Sequence, residues 1–239
     1  MRMIFLSYFI LFHFIGFSQS WKLNIGFQAS TENIKKFKIA KITIKSTATP
    51  NENHEYYFDN NGNDTASYIG GILFYFRKYE IDKQGKIIEW VQSDSNRIAK
   101  LKATYSYKND GSYTISITHP TYKQITLNTV NYTQTGKIQN EIFMDGGQLI
   151  YKYDSQGKLL EISSKPGSDG DDQFTAAYTY NSNNTLISIK TIYHTDKYET
   201  LEKFYYNDKG ILVKSETGVS YQSKKEKKSY TITYSYVFR

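Results

Sequence analysis

The sequence predicts an all-β protein, an antiparallel meander of repeated β-hairpins forming a curved or half-closed sheet. Three observations predict it. The 239 residues hold 23 Tyr and 14 Phe against 3 Pro and 3 Met, and a tyrosine ring covers a pleated surface while its hydroxyl still reaches water. A five-residue segment ending in glycine recurs at a near-constant period. The runs between these segments alternate apolar with polar residues, as half-exposed antiparallel strands do.

From the N-terminus, residues 1–20 read as a secretory signal that is removed. Arg2 supplies the positive start, Ile4 to Phe17 the apolar run, and Ser18-Gln19-Ser20 the small residues for cleavage. The run is short for a membrane span, which needs about 20 residues. Residues 21–239 then form a single β-repeat domain, with the repeats over 56–239. Phe37 to Thr47 reads as an additional strand, and 47–54 and 164–172 read as loops. With no cysteine in the chain, the fold must hold by burial and hydrogen bonds.

The repeating segments are FDNNG (58–62), IDKQG (81–85), YKNDG (107–111), YTQTG (132–136), YDSQG (153–157), YNSNN (180–184) and YNDKG (206–210), whose last residues lie 23, 26, 25, 21, 27 and 26 positions apart. A fixed period of this kind signals a repeat architecture. Its physical basis is a type I turn with a G1 bulge. An Asp or Asn at the first turn position bonds to backbone two residues on. The closing residue must be left-handed, a role assigned to Gly62, Gly85, Gly111, Gly136, Gly157 and Gly210. Asn184 takes that role in the sixth copy, Asn being the next most tolerant residue. Strands such as 102–107, 149–153, 174–180 and 202–206 precede the turns. Runs such as 86–92, 112–118, 137–143, 158–164, 185–191 and 211–216 follow them. Two strands per period give roughly 14 strands.

Tyr151-x-Tyr153-Asp154-x-x-Gly157-Lys158-Leu159 resembles the YD repeat of the RHS family of secreted and surface proteins. Tyr178-Thr179-Tyr180-Asn181 and Tyr205-Tyr206-Asn207 are near matches, and the earlier copies are degenerate. The resemblance implies hairpins in a long sheet that spirals into a shell. Seven copies and no evident C-terminal effector reduce that shell to a curved or half-closed sheet.

Residues i and i+2 of a strand share a face. Tyr105 with Tyr107, Tyr151 with Tyr153, and Tyr178 with Tyr180 therefore place two rings side by side before each turn. Such a ladder staples cross-strand pairs, or offers sugar rings a flat aromatic platform. These six tyrosines are the candidate ligand-binding residues.

No enzyme constellation is present: His54, His119 and His194 lie in unrelated places, and no nucleophile elbow, phosphate loop or dinucleotide fingerprint occurs. The oxygen-rich segments 59–64 and 169–172 lack EF-hand spacing, so neither a metal nor another cofactor is expected. The formal charge of +7 loses one unit when Arg2 leaves with the signal. A basic exported protein meets envelope polyanions before nucleic acid. The lysines of 224–228 read as a solvated loop.

The leading function read from the sequence is a non-catalytic exported repeat protein, a binding or structural module of the cell envelope. Its expected partner is a cell-surface glycan or an envelope protein, with no nucleic acid and no membrane insertion. The alternative is an outer-membrane β-barrel. Tyr230, Ile232, Tyr234, Tyr236 and Phe238 share one face of the last strand, opposite Thr231, Thr233 and Ser235, as in a barrel's terminal aromatic strand. Glu199, Lys203, Glu202 and Lys214 in neighbouring strands weigh against lipid.

Overall fold

A computed structural model describes residues 31–119, 122–143, 145–167, 173–195, 197–221 and 227–239. The segment read as a signal, residues 168–172 and residues 222–226 lie outside this set. A short helix, α1 (Thr31–Lys36), precedes sixteen strands: β1 (Ile39–Ser46), β2 (Asn53–Phe58), β3 (Asp64–Ile69), β4 (Ile72–Ile81), β5 (Ile87–Ser93), β6 (Ala99–Tyr107), β7 (Tyr113–His119), β8 (Tyr122–Tyr132), β9 (Ile138–Ile142), β10 (Gln148–Tyr153), β11 (Leu159–Lys165), β12 (Phe174–Tyr180), β13 (Leu186–Tyr193), β14 (Tyr198–Tyr206), β15 (Leu212–Tyr221) and β16 (Lys227–Phe238). Every pairing is antiparallel and each strand pairs with its neighbours in sequence.

The sheet is not half-closed. β1 pairs with β16 through Ile42↔Tyr236, Ile44↔Tyr234 and Ser46↔Ile232, and the sixteen strands form a closed barrel. Closure follows from complementary rows: both terminal strands present inward apolar residues, and pairing them removes the two edges an open meander would expose. The C-terminus secures the joint. Arg239 donates its backbone N–H to the Lys38 carbonyl at 2.8 Å, and its guanidinium reaches the carbonyl of Phe58, the last residue of β2.

The seven repeated turns all lie on one rim, here called the turn end. Their closing residues have φ of 77° (Gly62), 81° (Gly85), 86° (Gly111), 74° (Gly136), 78° (Gly157), 61° (Asn184) and 73° (Gly210). In the first turn the Gly62 N–H donates to the Asp59 carbonyl, while the Asp59 carboxylate accepts from the N–H groups of Asn61 and Asn63 at 2.8 and 2.9 Å. Asp82, Asp154, Asn181 and Asn207 repeat this pattern. Lys108 cannot accept, and there Asp110 takes the Ser112 N–H instead, which holds its carboxyl below the ordinary carboxylate range.

A Cβ added at Gly85 would meet nothing within 4 Å, so Gly85→Ala isolates the backbone cost. It is expected to destabilise by about 1–2 kcal/mol, while Asn184→Gly is expected to lose no stability. Denaturant midpoints at unchanged slope check both.

Three of the repeat tyrosines, and Tyr236 of β16, have a second task. Tyr107, Tyr153, Tyr206 and Tyr236 donate their hydroxyls to the carbonyls of Ile87, Ile138, Leu186 and Leu212 at 2.8, 2.9, 2.7 and 2.6 Å. Each acceptor is the first residue of the strand that follows the preceding turn. The tyrosine before one turn thus ties down the chain leaving the turn before it, a bond worth about 0.5–1.5 kcal/mol.

At the turn end and mid-height, inward side chains fill the barrel. Trp90, Tyr75 and Tyr113 are 2% exposed, and Ile115 is fully covered. One core cluster runs through β1, β2 and β10–β16, and a second through β5–β8. Ile34 of α1 is buried in the first cluster, with Phe37 packed beside it. The outer wall mixes exposed apolar side chains such as Leu160, Leu201 and Val237 with ion pairs. Lys41–Glu55, Lys102–Glu89, Lys152–Glu161 and Lys190–Glu199 bridge adjacent strands at 2.6–2.9 Å, and Lys214–Glu216 pairs along β15 at 2.6 Å.

Candidate functional site: the barrel interior and its loop-end mouth

Interior chemistry divides into a buried charge cluster, a buried acid, and an aromatic row at the end opposite the repeated turns. The charge cluster grows from the first hairpins. Asp64 opens β3 and faces inward, and Tyr75, Arg77 and Tyr79 are the alternating inward residues of β4. The Asp64 carboxylate accepts from Arg77 Nη1 at 2.8 Å, Tyr75 Oη at 2.7 Å and Tyr79 Oη at 2.5 Å. Arg77 Nε donates to Gln92, and the guanidinium lies 4.4 Å from the Tyr75 ring centre and 4.9 Å from that of Trp90. A buried charge needs such full satisfaction to persist.

Glu141 of β9 is fully covered and accepts the Tyr151 hydroxyl at 2.5 Å. Glu202 of β14 also faces inward. No group of three or more His, Cys, Asp or Glu that could hold a metal occurs among the described residues. The carboxylates of 59–64 are committed to the first turn and to Arg77, and residues 169–172 lie outside the described set.

The six tyrosines singled out in the sequence line the inner wall. Tyr105 and Tyr151 are buried; Tyr107, Tyr153, Tyr178 and Tyr180 are half-buried. Tyr105 stacks on Tyr107 at 6.2 Å between ring centres and accepts the Trp90 indole N–H. Tyr107 and Tyr153 tie adjacent turns, as described above.

A different aromatic row stands at the loop end of β12–β15, which the repeat pattern did not indicate. Register places Phe174, Tyr193, Tyr198 and Tyr221 directly opposite one another on four consecutive strands. Phe174 and Tyr193 lie 6.0 Å apart, Tyr193 and Tyr198 stack at 4.2 Å and 11°, and Tyr198 and Tyr221 lie 5.6 Å apart. All four are half-buried and face inward. The row beneath them is Ala176, Thr191, Thr200 and Val219. The available sequence signal was an aromatic next to each loop, visible only once strands are paired. His194 is exposed beside this row, its Nε2 3.0 Å from the Thr175 hydroxyl.

No protein-family model matches the sequence, and no curated protein matches it. Among solved structures, the crystal structure of a porin-like protein from Bacteroides uniformis ATCC 8492 is similar at a TM-score of 0.57 and 14% identity, over 84% of this chain and 97% of that one. A porin-like protein from Bacteroides vulgatus ATCC 8482 is similar over 83% and 98% at 15% identity, with a TM-score of 0.39. A TcdB2-TccC3-Cdc42 structure is similar over 74% of this chain and 11% of that one at 13% identity, with a TM-score of 0.35. The likeness to the Bacteroides uniformis protein is one of fold.

The class is therefore a closed antiparallel barrel of porin-like fold. The resemblance to the YD repeat of the RHS family is overturned, because the hairpins do not spiral into a shell: β1 and β16 pair and end the sheet on itself. Of the two readings of the sequence, the barrel is the one supported. The half-open repeat module is not.

Proposed function

We propose that the protein is a porin-like β-barrel of the cell envelope, assembled at the outer membrane. Closure is the observation that carries this reading. An even number of antiparallel strands from one chain, a rim of uniform short turns and a terminal aromatic strand are features of outer-membrane barrels. The likeness to a porin-like structure supports the same class.

A second reading, in which the same barrel stands in the water of the envelope, is favoured by the outer wall. Lys152 and Glu161, Lys190 and Glu199, and Lys102 and Glu89 all point away from the interior. A lipid-facing lysine costs about 2–4 kcal/mol at mid-bilayer. The interior is also packed at the turn end, whereas sixteen-stranded porins leave an aqueous channel.

Fractionation of the expressed full chain separates the two. Detergent-dependent extraction with a heat-modifiable band on gels supports the inserted barrel. Release without detergent supports the water-facing barrel and contradicts insertion.

A further inference from the structure

We propose that the barrel opens laterally between β11 and β12 while the β1–β16 joint stays closed. Three features of the β11–β12 joint carry the inference. None depends on whether the outer wall meets lipid or water.

The first is the length of the ladder. β11 and β12 are partnered only at Glu161↔Ala177, Ile162↔Ala176 and Ser163↔Thr175. By contrast, β14 and β15 stay paired from Tyr198↔Tyr221 to Tyr206↔Leu212, and β1 and β16 from Ile39↔Phe238 to Ser46↔Ile232. Local chemistry explains both ends of the short ladder. The bulge after the Gly157 turn leaves Leu160 without a partner on β10, and pairing with β12 stops at the next residue, Glu161. A bulge sharpens the local twist and ends pairing in this way. At the other end the Ser164 hydroxyl, rather than a carbonyl, accepts the Phe174 N–H at 2.7 Å.

The second is a missing tie. The hydroxyls of Tyr107, Tyr153, Tyr206 and Tyr236 each bond the first carbonyl of the preceding strand. Tyr180 of β12 stands in the same place, and the corresponding carbonyl is that of Leu159. Among the described residues the Tyr180 hydroxyl makes no such bond. Lys158 reaches across instead, with Nζ 5.2 Å from the Tyr180 ring centre and donating to Asn184 Oδ1 at 2.6 Å. That bond is exposed, so water competes for both partners.

The third is the contrast with the other short ladder. β9 and β10 are partnered only from Asn140↔Ile150 to Ile142↔Gln148. Two tyrosines reinforce that joint, Tyr151 donating to the buried Glu141 at 2.5 Å and Tyr153 to the Ile138 carbonyl at 2.9 Å. These tyrosine bonds have no counterpart across β11–β12 among the described residues. What holds β11 against β12 is chiefly the burial of Leu159, Ile162 and Ala176. A joint with so few backbone partners opens at lower cost than the whole fold, and opening here uncovers the apolar interior at Leu159 and Ile162.

The test is hydrogen exchange of the full chain read by mass spectrometry, in the buffer or detergent that fractionation requires. Peptides over 159–163 and 176–180 are expected to exchange at least about tenfold faster than peptides over 200–204 and 214–219. Oxidised S163C/T175C, which joins Cα partners of β11 and β12, is expected to slow the first pair to the rate of the second, and reduction to restore it. Oxidised T43C/S235C is expected to leave exchange at β11–β12 unchanged. Equal rates at β11–β12 and β14–β15 overturn the lateral opening. So does fastest exchange at the β1–β16 joint, or fast exchange that persists in oxidised S163C/T175C.

Discussion

Asp64→Ala is expected to destabilise the barrel by about 3–5 kcal/mol, because it leaves the Arg77 guanidinium buried without its counter-charge. The side chains of Arg77 and Asp64 are 3% and 4% exposed, so water cannot replace the lost carboxylate. Tyr75 and Tyr79 lose their acceptor in the same step. The cost belongs to breaking the pair, not to lacking it. Asp64→Leu with Arg77→Met removes both charges at similar volume, and such replacements are often neutral or stabilising. The double variant is therefore expected to recover most of the single variant's loss in a denaturant titration. A double variant as unstable as Asp64→Ala would mean that the cluster contributes through shape rather than charge pairing.

Trp90→Ala is expected to cost about 3–5 kcal/mol, as large-to-small changes at buried aromatics do. Trp90 is 2% exposed and packs in the second core cluster with Ala103, Tyr105, Ile115 and Val130. Its removal also leaves Tyr105 without the indole donor and Arg77 without one of its two aromatic faces. Val237, on the outer wall and 54% exposed, is the control: Val237→Ala is expected to fall within about 0.5 kcal/mol of the parent. Comparable losses at the two positions would contradict the assignment of inner and outer faces.

Much of this architecture was legible residue by residue. The seven turn segments specify the hairpins β2–β3 through β14–β15. The run from Phe37 to Thr47 specifies β1, and the alternation of Tyr230 to Phe238 specifies β16. Local chemistry suffices for these, since turn residues and period-two alternation act over a few positions. One turn escaped because it dispenses with glycine: Asp94 organises Asn96 and Ile98, and Arg97 takes φ of 61°. The left-handed closing residue is the shared element, and Asn184 and Arg97 fill it where glycine does not.

Closure was legible only in the alternative reading, from the aromatic face of the last strand, and a physical reason kept it from leading. Lys41 and Lys45 on β1 look like the charges that guard an exposed edge, and the same residues fit equally well on the outer wall of a paired strand. Only the partner decides, and β16 lies almost the whole chain away. The YD resemblance failed at the same point. A repeat defines the hairpin but not the curvature summed over hairpins, and curvature separates a shell from a barrel. The Asp64–Arg77 pair and the row from Phe174 to Tyr221 were hidden likewise, since both arise from register between strands rather than spacing within one.

The pairing of β1 with β16 carries the account. Thr43 and Ser235 are Cα partners across that joint, and directly opposed antiparallel residues lie about 4.5–5.5 Å apart, within disulfide range. The chain has no cysteine of its own, so T43C/S235C can be oxidised and read by gel mobility with no competing thiol. K214C/T233C, between the sequence neighbours β15 and β16, is the control. A closed barrel is expected to give the T43C/S235C disulfide as readily as the control. A control that crosslinks fully beside a T43C/S235C variant that stays reduced would show that the sheet is open.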